Sequence, residues 1–152
     1  MKKNKAISIV TTTVILVILF AFNTGADEKR YSLTVTAYGL RNNGGVVQFA
    51  LYNKDGTIPD PQYKKYYKKS VAQIKNGRAT VVFKSLSKGR YAVNILHDEN
   101  RDGQIEKKFI KPTEGIGFTN YKSIGLTNRP KFSKASFLLD KNLKKTVKTI
   151  YL

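Results

Sequence analysis

From Tyr31 onward the chain is cut by turn-forming residues into short runs, and several of these runs alternate apolar with polar side chains. A period of two places successive side chains on opposite faces, so such runs are read as half-buried strands. Tyr31–Tyr38 alternates, with Leu33, Val35 and Ala37 on one face. Asn42-Asn43-Gly44-Gly45 is a turn, and Val46–Tyr52 is a second strand, which predicts a first hairpin. Val71–Lys75 and Ala79–Phe83 flank Asn76-Gly77, a dipeptide that accepts the left-handed backbone of a tight hairpin turn. Ser85–Gly89 is a turn before a Tyr91–His97 strand, and Phe132–Leu139 with Thr146–Tyr151 are expected to close the chain as another pair. Helical spacing is found only in Gln62–Lys69, and there are no internal repeats. About seven short strands with turns between them predict an all-β sandwich.

The first 26 residues read as an export signal. Met1-Lys-Lys-Asn-Lys5 is a basic start, Ala6–Phe22 is apolar, and Thr24-Gly25-Ala26 supplies small residues for cleavage after Ala26. The alternative is an uncleaved anchor, for which an apolar run of this length sits at the lower limit. Cleavage leaves residues 27–152 as one domain, large enough to bury roughly two-thirds of its unfolded surface. No cysteine is present, which excludes structural disulfides and a lipid-modified cysteine. The expected location is periplasmic or secreted, with no transmembrane segment after cleavage.

Charge narrows the partners. The chain has 28 basic and 10 acidic residues, a net charge of +18. Loss of Lys2, Lys3 and Lys5 with the signal takes this to +15. Such a charge favours anionic lipid, acidic cell-surface polymer or nucleic acid, against the plainer reading of a solvated lysine surface. Nothing in the sequence points to specific nucleic-acid recognition.

Four of the ten acidic residues fall within His97–Glu106, HDENRDGQIE. Clustered carboxylates repel one another, so the grouping needs a compensating partner. Asp98, Asn100 and Asp102 stand at positions 1, 3 and 5 of a calcium-loop pattern, Gly103 at 6, the Gln104 carbonyl at 7 and Ile105 at 8. The pattern then fails, because position 12 is Phe109 and no helix flanks the loop. Two readings stand. In one, Asp98, Asn100 and Asp102, with Glu106 or Glu114 completing the shell, hold Ca²⁺ at the end of a strand. In the other, the Asp and Asn side chains bond their own backbone in a tight turn and no ion binds.

Two long connections are candidates for ligand contact. Asn53–Ser70 carries Tyr63-Lys-Lys-Tyr-Tyr-Lys-Lys69, in which Tyr63, Tyr66 and Tyr67 could stack on a ligand or simply cover a sheet edge. Gly103–Lys131 holds Glu114, Phe118 and Asn120, and Phe118 is expected to plug the core.

Gly89-Arg-Tyr-Ala-Val93, His97-Asp-Glu-Asn100, Asp102-Gly103, Pro112-Thr-Glu-Gly115, Gly117-Phe118-Thr-Asn120, Pro130-Lys-Phe132 and Ala135-Ser-Phe137 follow one another in that order. This set resembles the DUF2141 family of exported bacterial proteins. The resemblance implies an immunoglobulin-like or transthyretin-like β-sandwich outside the cytoplasm and brings no established activity. It implies that His97, Asp98, Asn100, Asp102, Glu106 and Glu114 are the family's polar cluster. The chain departs from the family's pattern at Ile116 and Lys111.

The sequence offers little for catalysis. His97 is the single histidine, beside Asp98 in the manner of an oriented base, but it cannot complete a zinc site alone. There is no G-x-S-x-G, no phosphate-cradling loop and no tryptophan for a sugar platform. The expectation is a non-enzymatic exported binding module, Ca²⁺-stabilised or rigidified at its acidic loop. The alternatives are a basic cell-envelope protein binding anionic lipid or polysaccharide and, last, a small hydrolase built on His97, Asp98 and Glu114.

Overall fold

The structure is a computed structural model that describes residues 28–105, 107–108 and 111–152. The whole expected export segment, its boundary after Ala26, and Glu106 lie outside the described residues. Among the described residues, ten short strands and one helical turn follow in chain order: β1 (Arg30–Tyr38), β2 (Val46–Tyr52), β3 (Lys68–Ala72), β4 (Arg78–Ser87), β5 (Gly89–Asp98), β6 (Lys107–Lys108), β7 (Lys111–Pro112), β8 (Gly115–Phe118), α1 (Phe132–Ala135), β9 (Phe137–Leu139) and β10 (Leu143–Lys148). A three-stranded sheet runs β10-β1-β4, with β1 parallel to β10 and antiparallel to β4. A five-stranded sheet runs β3-β2-β5, and the far edge of β5 pairs with β8 along Asn94–His97 and with β9 along Gly89–Tyr91. The two sheets pack face to face, and the all-β sandwich read from the sequence is the observed architecture.

The core between the sheets follows the alternation. Leu33, Val35 and Ala37 of β1, Val81 and Phe83 of β4, and Val147 of β10 meet Val47, Phe49 and Leu51 of β2 and Val93 and Ile95 of β5. β2 and β5 do not alternate in burial, because the five-stranded sheet is covered on its other face too. There Ala50, Tyr52, Ala92, Leu96, Ile116 and Phe118 lie under Ile58 and Tyr63 from one long connection, and under Tyr121, Phe132 and Ala135 from the other. Each buried aliphatic or aromatic side chain contributes about 1.5–3 kcal/mol, so this second layer is a substantial part of the fold. It anchors described parts of both long connections against the sheet.

Several expected pairings are corrected. β1 and β2 do not form a hairpin; they belong to different sheets. Alternation tells which face is buried but not which neighbour a strand takes. Asn76-Gly77 does make a tight turn, both residues having positive φ and Lys75 and Arg78 exchanging backbone hydrogen bonds of 2.8 and 3.1 Å. The turn carries the chain from β3 in one sheet to β4 in the other, rather than joining two strands of one sheet. Gln62–Lys69 is not helical. The buried Asp60 carboxylate accepts the backbone N–H of Lys64 (3.1 Å) and Lys65 (2.7 Å), fixing a turn that leads into β3. Phe132–Leu139 splits into α1 and β9, and its strand pairs with β5 rather than with the C-terminal strand, which lies beside β1.

Gly103–Lys131, read as one connection, contains β8 as a full member of the sheet. Its glycines hid it. A Cβ on Gly117 would stand 2.3 Å from the Lys148 carbonyl oxygen, so only glycine admits the C-terminal segment here.

Candidate functional site

The polar residues singled out by the sequence gather at one end of the sandwich, where β5 leaves the sheet. Asp98, the last residue of β5, points to the outer face; His97 points inward. The loop that follows folds on its own donors. Asp98 accepts Asp102 N–H at 3.1 Å and Gly103 N–H at 2.9 Å. Asn100 Oδ1 accepts Asp102 N–H at 3.0 Å, and Asp102 Oδ1 accepts Gln104 N–H at 2.8 Å. Arg101 and Gly103 both adopt positive φ, the local backbone that Asp and Asn turns favour. The buried Glu114 carboxylate, just ahead of β8, accepts the Glu99 N–H at 3.0 Å. Backbone donors thus supply the compensation that the carboxylate cluster needs.

The loop oxygens proposed as ligands are the same oxygens that hold the turn. Among the described residues no three His, Cys, Asp or Glu side chains are grouped to hold a metal.

Glu99 leaves this arrangement and faces β1's loop. It takes a forked ion pair from Arg41, through Nε at 2.9 Å and through an Nη2 contact, and a hydrogen bond from Asn42 at 2.7 Å. The Arg41 side chain holds the Glu99 carboxyl below the ordinary carboxylate range. The same bond raises the Arg41 guanidinium.

His97 is fully buried beside this pair. Its Nε2 lies 2.9 Å from the Gly44 carbonyl oxygen, which can only accept, so Nε2 carries the proton. Nδ1 then accepts from the Tyr151 hydroxyl at 2.7 Å, and the Tyr151 oxygen in turn accepts the Arg41 N–H at 3.0 Å. The Arg41 guanidinium stacks 4.8 Å from the Tyr151 ring centre. Burial raises the Tyr151 phenol. Both imidazole nitrogens are therefore engaged in holding the C-terminal segment and the β1–β2 loop to β5. Gly45 makes this closure possible: its φ is +68°, and a Cβ there would stand 2.0 Å from the Asp98 carbonyl oxygen.

The remaining candidates separate. Phe118 is buried as expected and packs edge-on against Tyr121 at 6.0 Å. Asn120 donates to the carbonyls of Lys134, Ala135 and Ser136 at 3.1–3.2 Å, fastening the turn after α1. Tyr63 is buried, its hydroxyl raised by desolvation and facing Asn94 and Tyr52. Tyr52 donates to Asp60 at 3.1 Å. Tyr66 and Tyr67 are 37% and 44% exposed, and the ammonium groups of Lys69 and Lys68 sit 5.6 Å over their rings. The structure thus brings His97, Asp98, Asn100, Asp102 and Glu114 together and leaves Phe118, Asn120 and the tyrosines elsewhere.

Sequence reasoning missed Arg41, Asn42 and Tyr151. No local signal marks them, because Arg41 and Glu99 are 58 residues apart and His97 and Tyr151 are 54 apart.

Among the described residues no helix is long and apolar enough to cross a membrane. The profile of the DUF2141 family, described as an uncharacterized protein conserved in bacteria, matches residues 35–147. Comparison with curated proteins and with solved structures found no match.

Proposed function

Because the chain belongs to the DUF2141 family, which brings no activity with it, we propose its function from its own geometry: an exported, non-catalytic binding module that attaches to an anionic polymer of the cell envelope. One observation carries this reading. Among the described residues the ion pairs seen are Arg30–Glu28 and Arg41–Glu99, with His97 near Glu99, and Lys84, Lys144 and Lys148 take part in none of these. At the loop end Asp98 and Asp102 are held by backbone donors and Glu99 by the Arg41 and Asn42 side chains. The lysines are left to make a field that attracts polyanions.

Two further features support it. The Asp98–Gly103 loop is held by its own N–H groups and so needs no calcium in this reading. His97 is fully buried with both nitrogens bonded inside the protein, which leaves neither nitrogen facing a substrate. The basic start and apolar run ahead of Asp27 support export.

The test is retention of the mature chain on immobilised polygalacturonate. Tight retention at 20 mM salt that is lost as the Debye length shrinks to about 8 Å at physiological ionic strength is expected. Absence of retention at low salt, or retention indifferent to salt, contradicts the proposal.

A further inference from the structure

Resting on that reading, we propose that the docking surface is the solvent face of the three-stranded sheet and that its occupant is an acidic polysaccharide. On β10 the solvent-facing positions are Lys144, Thr146 and Lys148; Lys145 turns the other way and lies over the Phe137 ring at 4.8 Å. On β4 the solvent-facing positions include Arg78, Thr80 and Lys84. Register fixes how these meet on β1 between them. Thr34 stands beside Lys144 and Val82, Thr36 beside Thr146 and Thr80, and Tyr38 beside Lys148 and Arg78.

The result is a patterned plane. Four cations, Arg78, Lys84, Lys144 and Lys148, surround hydroxyls at Thr34, Thr36, Thr80 and Thr146, and no carboxylate lies on the strands' solvent-facing positions. Lys144 and Lys148 are four residues apart, about 13 Å along the strand, and Lys148 and Arg78 are two strand spacings apart, about 10 Å. Thr36 and Thr80 already share a hydrogen bond of 2.9 Å, which orients their hydroxyls on the surface.

Chemistry selects the occupant. Spaced cations match the repeated charges of an acidic polymer, and hydroxyls that both donate and accept match sugar hydroxyls. A membrane-binding face buries an apolar stripe in the lipid boundary. Here the apolar groups are Val82 and the ring of Tyr38, set on different rows. Nor is the tyrosine-lysine tract equivalent. Its lysines Lys68 and Lys69 lie over their own tyrosine rings, and Lys68 also donates to the Lys84 carbonyl at 3.1 Å.

The experiment compares two variants of equal charge change, R78Q/K84Q/K144Q/K148Q on the face and K64Q/K65Q/K68Q/K69Q on the tract, by binding to soluble polygalacturonate at low salt. The face variant is expected to lose on the order of tenfold or more in affinity, and the tract variant less than about threefold. A second readout does not depend on folding of a variant: in wild type the polymer should protect Lys144 and Lys148 from acetylation and leave Lys64 and Lys65 reactive. Equal losses from both variants, or protection confined to the tract, overturn the face while leaving the proposed function standing. Wild-type protein that binds no polymer overturns both. Binding to phosphatidylglycerol vesicles with none to the polymer overturns the polysaccharide in favour of a membrane.

Discussion

The loop end and the solvent face of the three-stranded sheet treat charge in opposite ways. At the loop end Asp98, Glu99, Asp102 and Glu114 each accept a hydrogen bond that is local to the fold. On the sheet face Arg78, Lys84, Lys144 and Lys148 project from alternating positions with no carboxylate among them. The difference separates what holds the molecule from what it presents. A partnered charge is already committed to stability, whereas an unpartnered one is free to meet a ligand at little cost to the fold. The residues that look most like a site in sequence are thereby read as structural.

Breaking the loop end should destabilise the protein most. Gly45→Ala forces a Cβ into the Asp98 carbonyl at a positive φ, and a loss of about 3 kcal/mol or more is expected. For a domain of this size that lowers the melting temperature by on the order of 12 °C, measurable by circular dichroism. A fall of under 2 °C would show that the loop end is not held as described.

Tyr151→Phe is the next largest. It leaves His97 Nδ1 and the Arg41 N–H without their partner, at a cost of about 1–3 kcal/mol. Chemical denaturation of the two proteins side by side checks this, and equal midpoints would count against the network.

Acid sharpens the comparison further. Arg41 lowers the Glu99 carboxyl in the folded state, so the folded protein binds that proton less readily than the unfolded chain. The contribution is therefore full above the ordinary carboxylate range, about pH 4.3, and is lost as pH falls through the lowered folded value. Glu99→Gln should be less stable than wild type at pH 7 by about 0.5–1 kcal/mol and the gap should close towards pH 3. A gap that stays constant across that range would detach Glu99 from the acid response.

Calcium is expected to have the smallest effect. Ten millimolar CaCl₂ should move the melting temperature by less than about 1 °C, because the loop oxygens are occupied by backbone donors. A rise of several degrees would make the loop a weak calcium site of the extracellular kind.

The sequence showed much of the fold and only part of the site. Leu33, Val35 and Ala37 marked a half-buried strand because one face of β1 meets solvent. β2 and β5 gave no such period because long connections cover their second face, and their pairing depends on contacts far along the chain. β8 was illegible for a local reason, as Gly115 and Gly117 are required by close approach of the C-terminal segment and weaken any strand signal. The turn at Asp98–Gly103 was legible because its hydrogen bonds span five residues or fewer. Arg41 and Tyr151 were not, because only the folded chain brings them to Glu99 and His97. The sheet face was hidden in the same way, with its cations shared between β4 and β10.

The central claim is that stability and attachment reside in different charges. The most direct test measures melting temperature and polygalacturonate binding on the same two variants, E99Q/D102N at the loop end and R78Q/K84Q/K144Q/K148Q on the sheet face. The loop-end variant should melt several degrees lower and bind at least as tightly as wild type. The face variant should melt within about 2 °C of wild type, as exposed substitutions do, and bind weakly. A loop-end variant that keeps its melting temperature but loses binding, or a face variant that binds as wild type does, would contradict the account.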